Sequence, residues 1–123
     1  MTYLVKVLVL ATFALVLHLA LGWAWTPAAG VAAGLWHGRG GWHLGAAGVG
    51  LEWLILILYN YGVNARAVHL MTENLGSMLG NMPFFTIVAL TLSIGVLLGA
   101  LGGAAGTQLN RLLRHNRTAL HPE

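Results

Sequence analysis

Glu52 interrupts the apolar run Leu44 to Gly62, and His18 interrupts the run Thr2 to Leu21. In hydrocarbon a charged side chain costs several kcal/mol unless it is protonated, paired or wetted, so each residue marks a candidate intramembrane polar site. Glu52 has the chemistry to bind a proton or a cation on a transport path. Counted from Leu44 it lies about 12 Å inside one edge of its run, whereas His18 lies about one turn from the opposite edge. The two are therefore expected to differ in depth by roughly 10 Å and not to be direct partners. No Lys or Arg is expected at the depth of Glu52. Its carboxyl should then be neutral at pH 7 and donate a hydrogen bond, to a backbone carbonyl or to Thr91 or Ser93 of a neighbouring run.

The other histidines offer little metal or cofactor chemistry. His37 and His43 flank Arg39 in a glycine-rich turn, with no carboxylate or thiolate to complete a metal site. Haem would need two axial ligands at one depth, and only His69 could approach His18. No metal and no cofactor is assigned. Arg39, Arg111 and Arg114 suit lipid headgroups instead. Asn116-Arg117-Thr118 matches the glycosylation sequon by accident, on a tail read as cytoplasmic. There is no phosphate loop, catalytic triad, acid pair or HExxH, so no enzymatic activity is expected.

Composition sets the solvent. Of 123 residues 58% are hydrophobic and 7% charged, where a soluble domain carries about 25% charged residues. Cysteine is absent, which removes disulfides and thiol chemistry and leaves the redox compartment open. The net charge of +3 comes from residues that flank apolar runs rather than cluster with aromatics, which argues against nucleic acid.

These features predict an all-α membrane protein of four spans. Thr2 to Leu21 is the first, long enough for the hydrocarbon core at about 30 Å, with Trp23 and Trp25 at the headgroup level. Its rival reading, a cleaved leader over residues 1–22, requires an unusually long apolar segment. Pro27 to about Trp36 is a short second span, with Thr26 as N-cap. Leu44 to Gly62 is the third. Pro83 to Gly106 is the fourth, with Asn81 as N-cap. Residues 1–110 form the membrane domain and 111–123 a basic tail.

Lys6, Arg39, Arg111, Arg114 and Arg117 then fall on one side and Arg66 on the other. The positive-inside rule puts both termini and the 37–43 turn in the cytoplasm of a bacterial inner membrane. Between the third and fourth spans Met71, Leu75, Met78 and Met82 recur at helical spacing, opposite Thr72, Glu73, Asn74, Ser77 and Asn81. That pattern predicts an amphipathic helix in the non-cytoplasmic interface.

Small residues recur every fourth position: Gly95, Gly99 and Gly103 in the last span, Gly30 and Gly34 in the second. Helices in lipid associate through close backbone approach, which such residues permit. Packing within the chain and contact with a second subunit are both open on this pattern.

Gly22-Trp23-Ala24-Trp25, a short second span, a Gly/Arg turn, a third span from Gly45-Ala46 to Trp53 and a terminal span from Gly95 to Gly106 follow in order. Over about residues 15–108 this resembles a group of small bacterial four-helix integral membrane proteins, and the resemblance implies no activity. Asn74-Leu75-Gly76-Ser77 faintly resembles the pore segment of the dual-topology fluoride channels, whose Thr/Ser-rich helix break is missing here. The small multidrug transporters carry their acid in the first span. The leading expectation is a non-enzymatic protein acting through helix packing, as a homo-oligomer or as an accessory to other membrane subunits. The alternative is a small proton-coupled transporter or channel centred on Glu52, with Asn60, Thr86, Thr91 and Ser93 as lining candidates.

Overall fold

The computed structural model describes residues 2–120, with side chains to His115. All of its elements are helical. α1 spans Tyr3–Leu21, a 3-10 turn covers Trp23–Trp25, α2 spans Thr26–His37, α3 spans Gly41–Met78 and α4 spans Phe84–Leu120. Three of these are long and apolar enough to cross a membrane: Tyr3–Leu21, Gly41–Met78 and Phe84–His115. Their outward side chains are apolar too, with Leu19 72%, Leu101 68% and Leu4 66% exposed. The chain is a membrane protein by this criterion. α2 has 12 residues, about 18 Å of helix, and cannot cross alone.

Contacts fix the directions of the helices. Lys6 Nζ lies 3.2 Å from His37 Nδ1, Val7 and Leu10 pack with Ala33 and Leu44, and Ala14 packs with Ala29 and Val49. Numbering thus rises together along α1 and α3 and falls along α2, which returns between them. α4 runs against α3, with Gly103 on Gly41, Gly99 on Gly45 and Gly95 on Trp53.

Glycine supplies the interlock. Ala29, Gly30, Ala33 and Gly34 form the buried stripe of α2. A Cβ on Gly34 would overlap the Gly103 carbonyl, and one on Gly102 would overlap the Pro27 carbonyl. Gly106 meets Val31, and Gly99 meets Gly45 and Val49. Backbones approach this closely only where side chains are missing. The whole glycine stripe of α4 is therefore covered inside the chain, and no part of it is left as a face for a second copy.

The turn between α2 and α3 needs Gly38 and Gly40 at φ +65° and +86°, conformations that side chains with a Cβ resist. Thr107 locks this turn to α4, its hydroxyl lying 2.9 Å from the Gly38 carbonyl and 2.8 Å from that of Gly103.

Several local expectations change. Thr26 is the first helical residue of α2 rather than its cap. Asn81 takes a left-handed φ of 62° in the α3–α4 turn and does not cap α4. The third run and the interfacial segment belong to one helix, α3, broken at Asn64 (φ −152°, ψ 73°). Asn64 Oδ1 accepts the Ala67 N–H at 3.0 Å, so the residue ends one arm and caps the next. The inward face of that second arm is Thr72 and Gly76, while Met78 and Met71 are 82% and 66% exposed. Gly76 faces the Met82 backbone, which excludes a larger residue there. α4 passes residue 110 without a break, so the tail begins as a continuation of the helix. Residues 121–123 and the sequon side chains lie outside the described residues.

Candidate intramembrane site

Glu52 and His18 meet. Glu52 is fully buried, and its Oε1 lies 2.8 Å from His18 Nδ1, whose side chain is 23% exposed. The expected depth difference fails for two reasons. α3 begins at Gly41, three residues earlier than the apolar run, which moves Glu52 about 4.5 Å deeper. Leu10 then sits against Gly48, leaving an axial gap of about 6 Å that two long side chains cover. Thr91 and Ser93 are not partners of Glu52, because their hydroxyls donate to the Ile87 and Ala89 carbonyls of their own helix.

The pair is short in distance but lacks the alignment of an N–H···O hydrogen bond. His18 Nδ1, both carboxyl oxygens of Glu52 and Trp53 Nε1 are buried without a hydrogen-bond partner among the described residues. Unpartnered buried polar atoms are costly and uncommon in folded proteins. The His18 and Trp53 rings meet edge to face with centroids 6.1 Å apart.

His18 and Trp53 also line a cavity of 550 Å³. It lies beyond the N-terminal end of the short α2, between the two arms of α3 and the first turns of α4. Leu56, Ile87 and Val88 give it an apolar wall, and Trp23, Asn60, Asn64, Thr72 and Thr91 add polar or aromatic edges. Of the expected lining residues, Asn60 and Thr91 are present, whereas Thr86 and Ser93 are not among those that line it. No Lys or Arg lines it. His69 stacks on Phe84 at 4.6 Å and not on His18.

Chemically, a carboxyl and an imidazole at this distance act as one unit. With one shared proton the unit is neutral overall, and adding or removing a proton leaves net charge in a low dielectric. Such a unit can trade a proton against a charged ligand beside it.

Arg39, Arg111 and Arg114 are brought together at the other end of the bundle, with His37, Thr107 and Asn110. Gly30, Gly34, Gly95, Gly99 and Gly103 all pack within the chain. Trp53, Thr107 and Asn110 were not legible as site residues. Trp53 follows Glu52 directly and should face elsewhere on a helix, and Thr107 reads as the polar end of the Gly103 run. Among the described residues no group of three His or acidic side chains is close enough to hold a metal ion.

No protein-family model matches the chain, and no curated protein or solved structure matches it.

Proposed function

We propose that the chain is a small non-enzymatic carrier of the bacterial inner membrane, which couples proton binding at Glu52 and His18 to occupancy of the adjoining cavity. The observation that carries this reading is the unpartnered polar cluster opening, through His18 and Trp53, onto an apolar cavity. With no Lys or Arg on its wall, the cavity favours an amphipathic solute that is neutral or cationic. Aromatic faces at Trp23 and Trp53 suit a cation, and an adjacent carboxylate balances its charge. Vesicles holding the wild-type chain should take up a lipophilic quaternary ammonium dye when a proton gradient is imposed. Glu52→Gln should insert normally and lose the uptake, because the amide cannot exchange a proton, and Trp53→Ala should weaken dye binding. Binding and uptake indifferent to both substitutions would rule the reading out.

The same reading gives the chain four crossings, with both termini and the 38–40 turn in the cytoplasm. Lys6, Arg39, Arg111 and Arg114 gather at one end of the bundle and Arg66 lies beyond the Asn64 break, which supports the orientation. The parallel course of α1 and α3 supports a return through α2. The chain lacks cysteine, so single cysteines report sidedness directly. Ser77→Cys in intact cells should react with a membrane-impermeant thiol reagent, and His115→Cys should react only after permeabilisation. The reverse pattern would invert the topology.

A second reading, an accessory subunit of a larger complex, has support from one surface. Met78 and Phe85, 82% and 81% exposed, flank the α3–α4 turn and would be covered by a partner. Affinity purification of the native chain from mild detergent, with a stoichiometric companion, would favour that reading over the carrier.

A further inference from the structure

The Glu52–His18 pair has a third polar neighbour, whose place in the sequence marks it only as a helix cap. Thr26 is 0% exposed, and its Oγ1 has no hydrogen-bond partner among the described residues. Its level in the bundle follows from the face it shares. Thr26, Ala29 and Ala33 fall at i, i+3 and i+7 of α2, one stripe of a helix. Ala33 packs with Val7, Leu10 and Leu44, and Ala29 packs with Ala14 and Val49. Because α2 runs against α1 and α3, one turn back from Ala29 is one turn on from Ala14 and Val49. That step reaches Thr26, His18 and Glu52 together.

Local structure denies this hydroxyl the usual partner. Thr72, Thr91, Ser93 and Thr107 each donate to a carbonyl four residues back in their own helix. Thr26 opens α2, and four residues back lies Gly22 at φ 91°, ψ 170°, outside any helix. The Gly22 carbonyl already accepts the Trp25 N–H at 3.2 Å. The unpartnered atoms that α1, α2 and α3 bring to this level are therefore Thr26 Oγ1, His18 Nδ1 and both carboxyl oxygens of Glu52, with Trp53 Nε1 one residue further on.

We propose that one water molecule is bound between Thr26 and Glu52, which makes Thr26 a positioning residue of the proton site. Buried waters make about three hydrogen bonds, to polar groups that lack other partners, and a water bridge is nearly as favourable as a direct bond. Water also suits the chemistry better than a metal ion. It donates to the ionised carboxylate and accepts from the protonated acid, and the Thr26 hydroxyl turns to match. A metal ion serves only the ionised state, and it opposes a charged His18. With water in place, Glu52 can lose and regain its proton without leaving a buried oxygen unsatisfied. α2 and α4 bring no titratable group to this level. The inference rests on the proton site of the carrier reading and not on its cavity.

Full-length protein in lipid bilayers would be switched between acidic and alkaline buffer, and infrared difference spectra recorded in ordinary and in heavy-oxygen water. One narrow O–H stretching band that moves to lower frequency in heavy-oxygen water is expected. Thr26→Val keeps the branched shape and removes the hydroxyl, so the band should be lost and the Glu52 carboxyl stretch should shift. Thr26→Ser should restore both. Ser93→Ala, whose native hydroxyl donates within its own helix, should leave both unchanged. The spectra need no dye and no gradient, so absent transport with the band retained would sink the carrier and support the water. A Thr26→Val spectrum identical to wild type, or an equal loss in Ser93→Ala, would overturn the proposal. So would a carboxyl band that responds to sodium at constant pH, because the occupant would then be an ion. A crystal structure of the wild-type chain fine enough to show waters gives a test free of variants. Density between Thr26 Oγ1 and Glu52 is expected, and a direct bond with no density between them would refute the bridge.

Discussion

Leucine in place of Gly103 should collapse the fold of the monomer. The new side chain would start inside the space held by the Gly41 carbonyl and the Trp42 Cα, and backbone cannot swing aside as a flexible side chain can. Overpacking a core ordinarily costs about 1–3 kcal/mol. Here the obstacle is main chain from α3, and Gly34 of α2 meets Gly103 from the other side, so the cost should exceed that range. Gly62→Leu is the matched control, because nothing lies within 4 Å of its Cβ position. Denaturation in mixed micelles should show Gly103→Leu largely unfolded where Gly62→Leu keeps nearly wild-type stability. Equal stabilities would mean that α2, α3 and α4 do not interlock as described.

The second large effect is a non-additive one, at His18 and Glu52. His18→Leu removes the imidazole that lies 2.8 Å from a fully buried carboxyl, and breaking a buried pair from one side costs about 3–5 kcal/mol where the pair is ionised. Glu52→Leu leaves an imidazole that is 23% exposed and borders the cavity, so it should cost less. Replacing both by leucine removes the polar pair and should recover most of the lost stability, since apolar pairs of similar volume often match or exceed a buried ion pair. The double variant should nonetheless carry no dye. A double-mutant cycle measures the coupling directly, and strictly additive losses would show that the two side chains do not act as a unit.

Much of this molecule is readable from residue types, because lipid imposes a simple rule on composition. The apolar lengths of α1, α3 and α4, the Gly38–Gly40 turn, and the oddity of Glu52 and His18 all follow from it. The grouping of Arg39 with Arg111 and Arg114 followed from counting charges along the threading. What composition does not encode is axial register. Leu10 against Gly48 is a matter of one side chain filling one gap, and a shift of a few residues there separates His18 from Glu52 completely. The break at Asn64 was hidden for a related reason. Asparagine in an apolar-to-polar transition reads as an interface residue, and only its hydrogen bond to Ala67 reveals a cap. Met71, Leu75 and Met78 keep their helical spacing on α3, but the helix ends at Met78 and Met82 falls beyond the turn at Gly80 and Asn81, where its backbone approaches Gly76 and helps to decide which face turns inward.

The glycine interlock has a mechanical corollary. Where main chain rests on main chain, at Gly34, Gly41, Gly45, Gly99, Gly103 and Gly106, there is no compliant layer to absorb displacement, and that half of the bundle should behave as a stiff root. The other half is held by larger side chains around a cavity and by one capped break in α3. It resembles the prongs of tweezers more than the body of a rod. Elastic deformation should therefore be confined to the prongs, with Glu52 and His18 near the point where they join the root. There a small splay at the tips would become an even smaller change of distance between two polar groups, so the pair should stay in register under a deformation that alters the cavity.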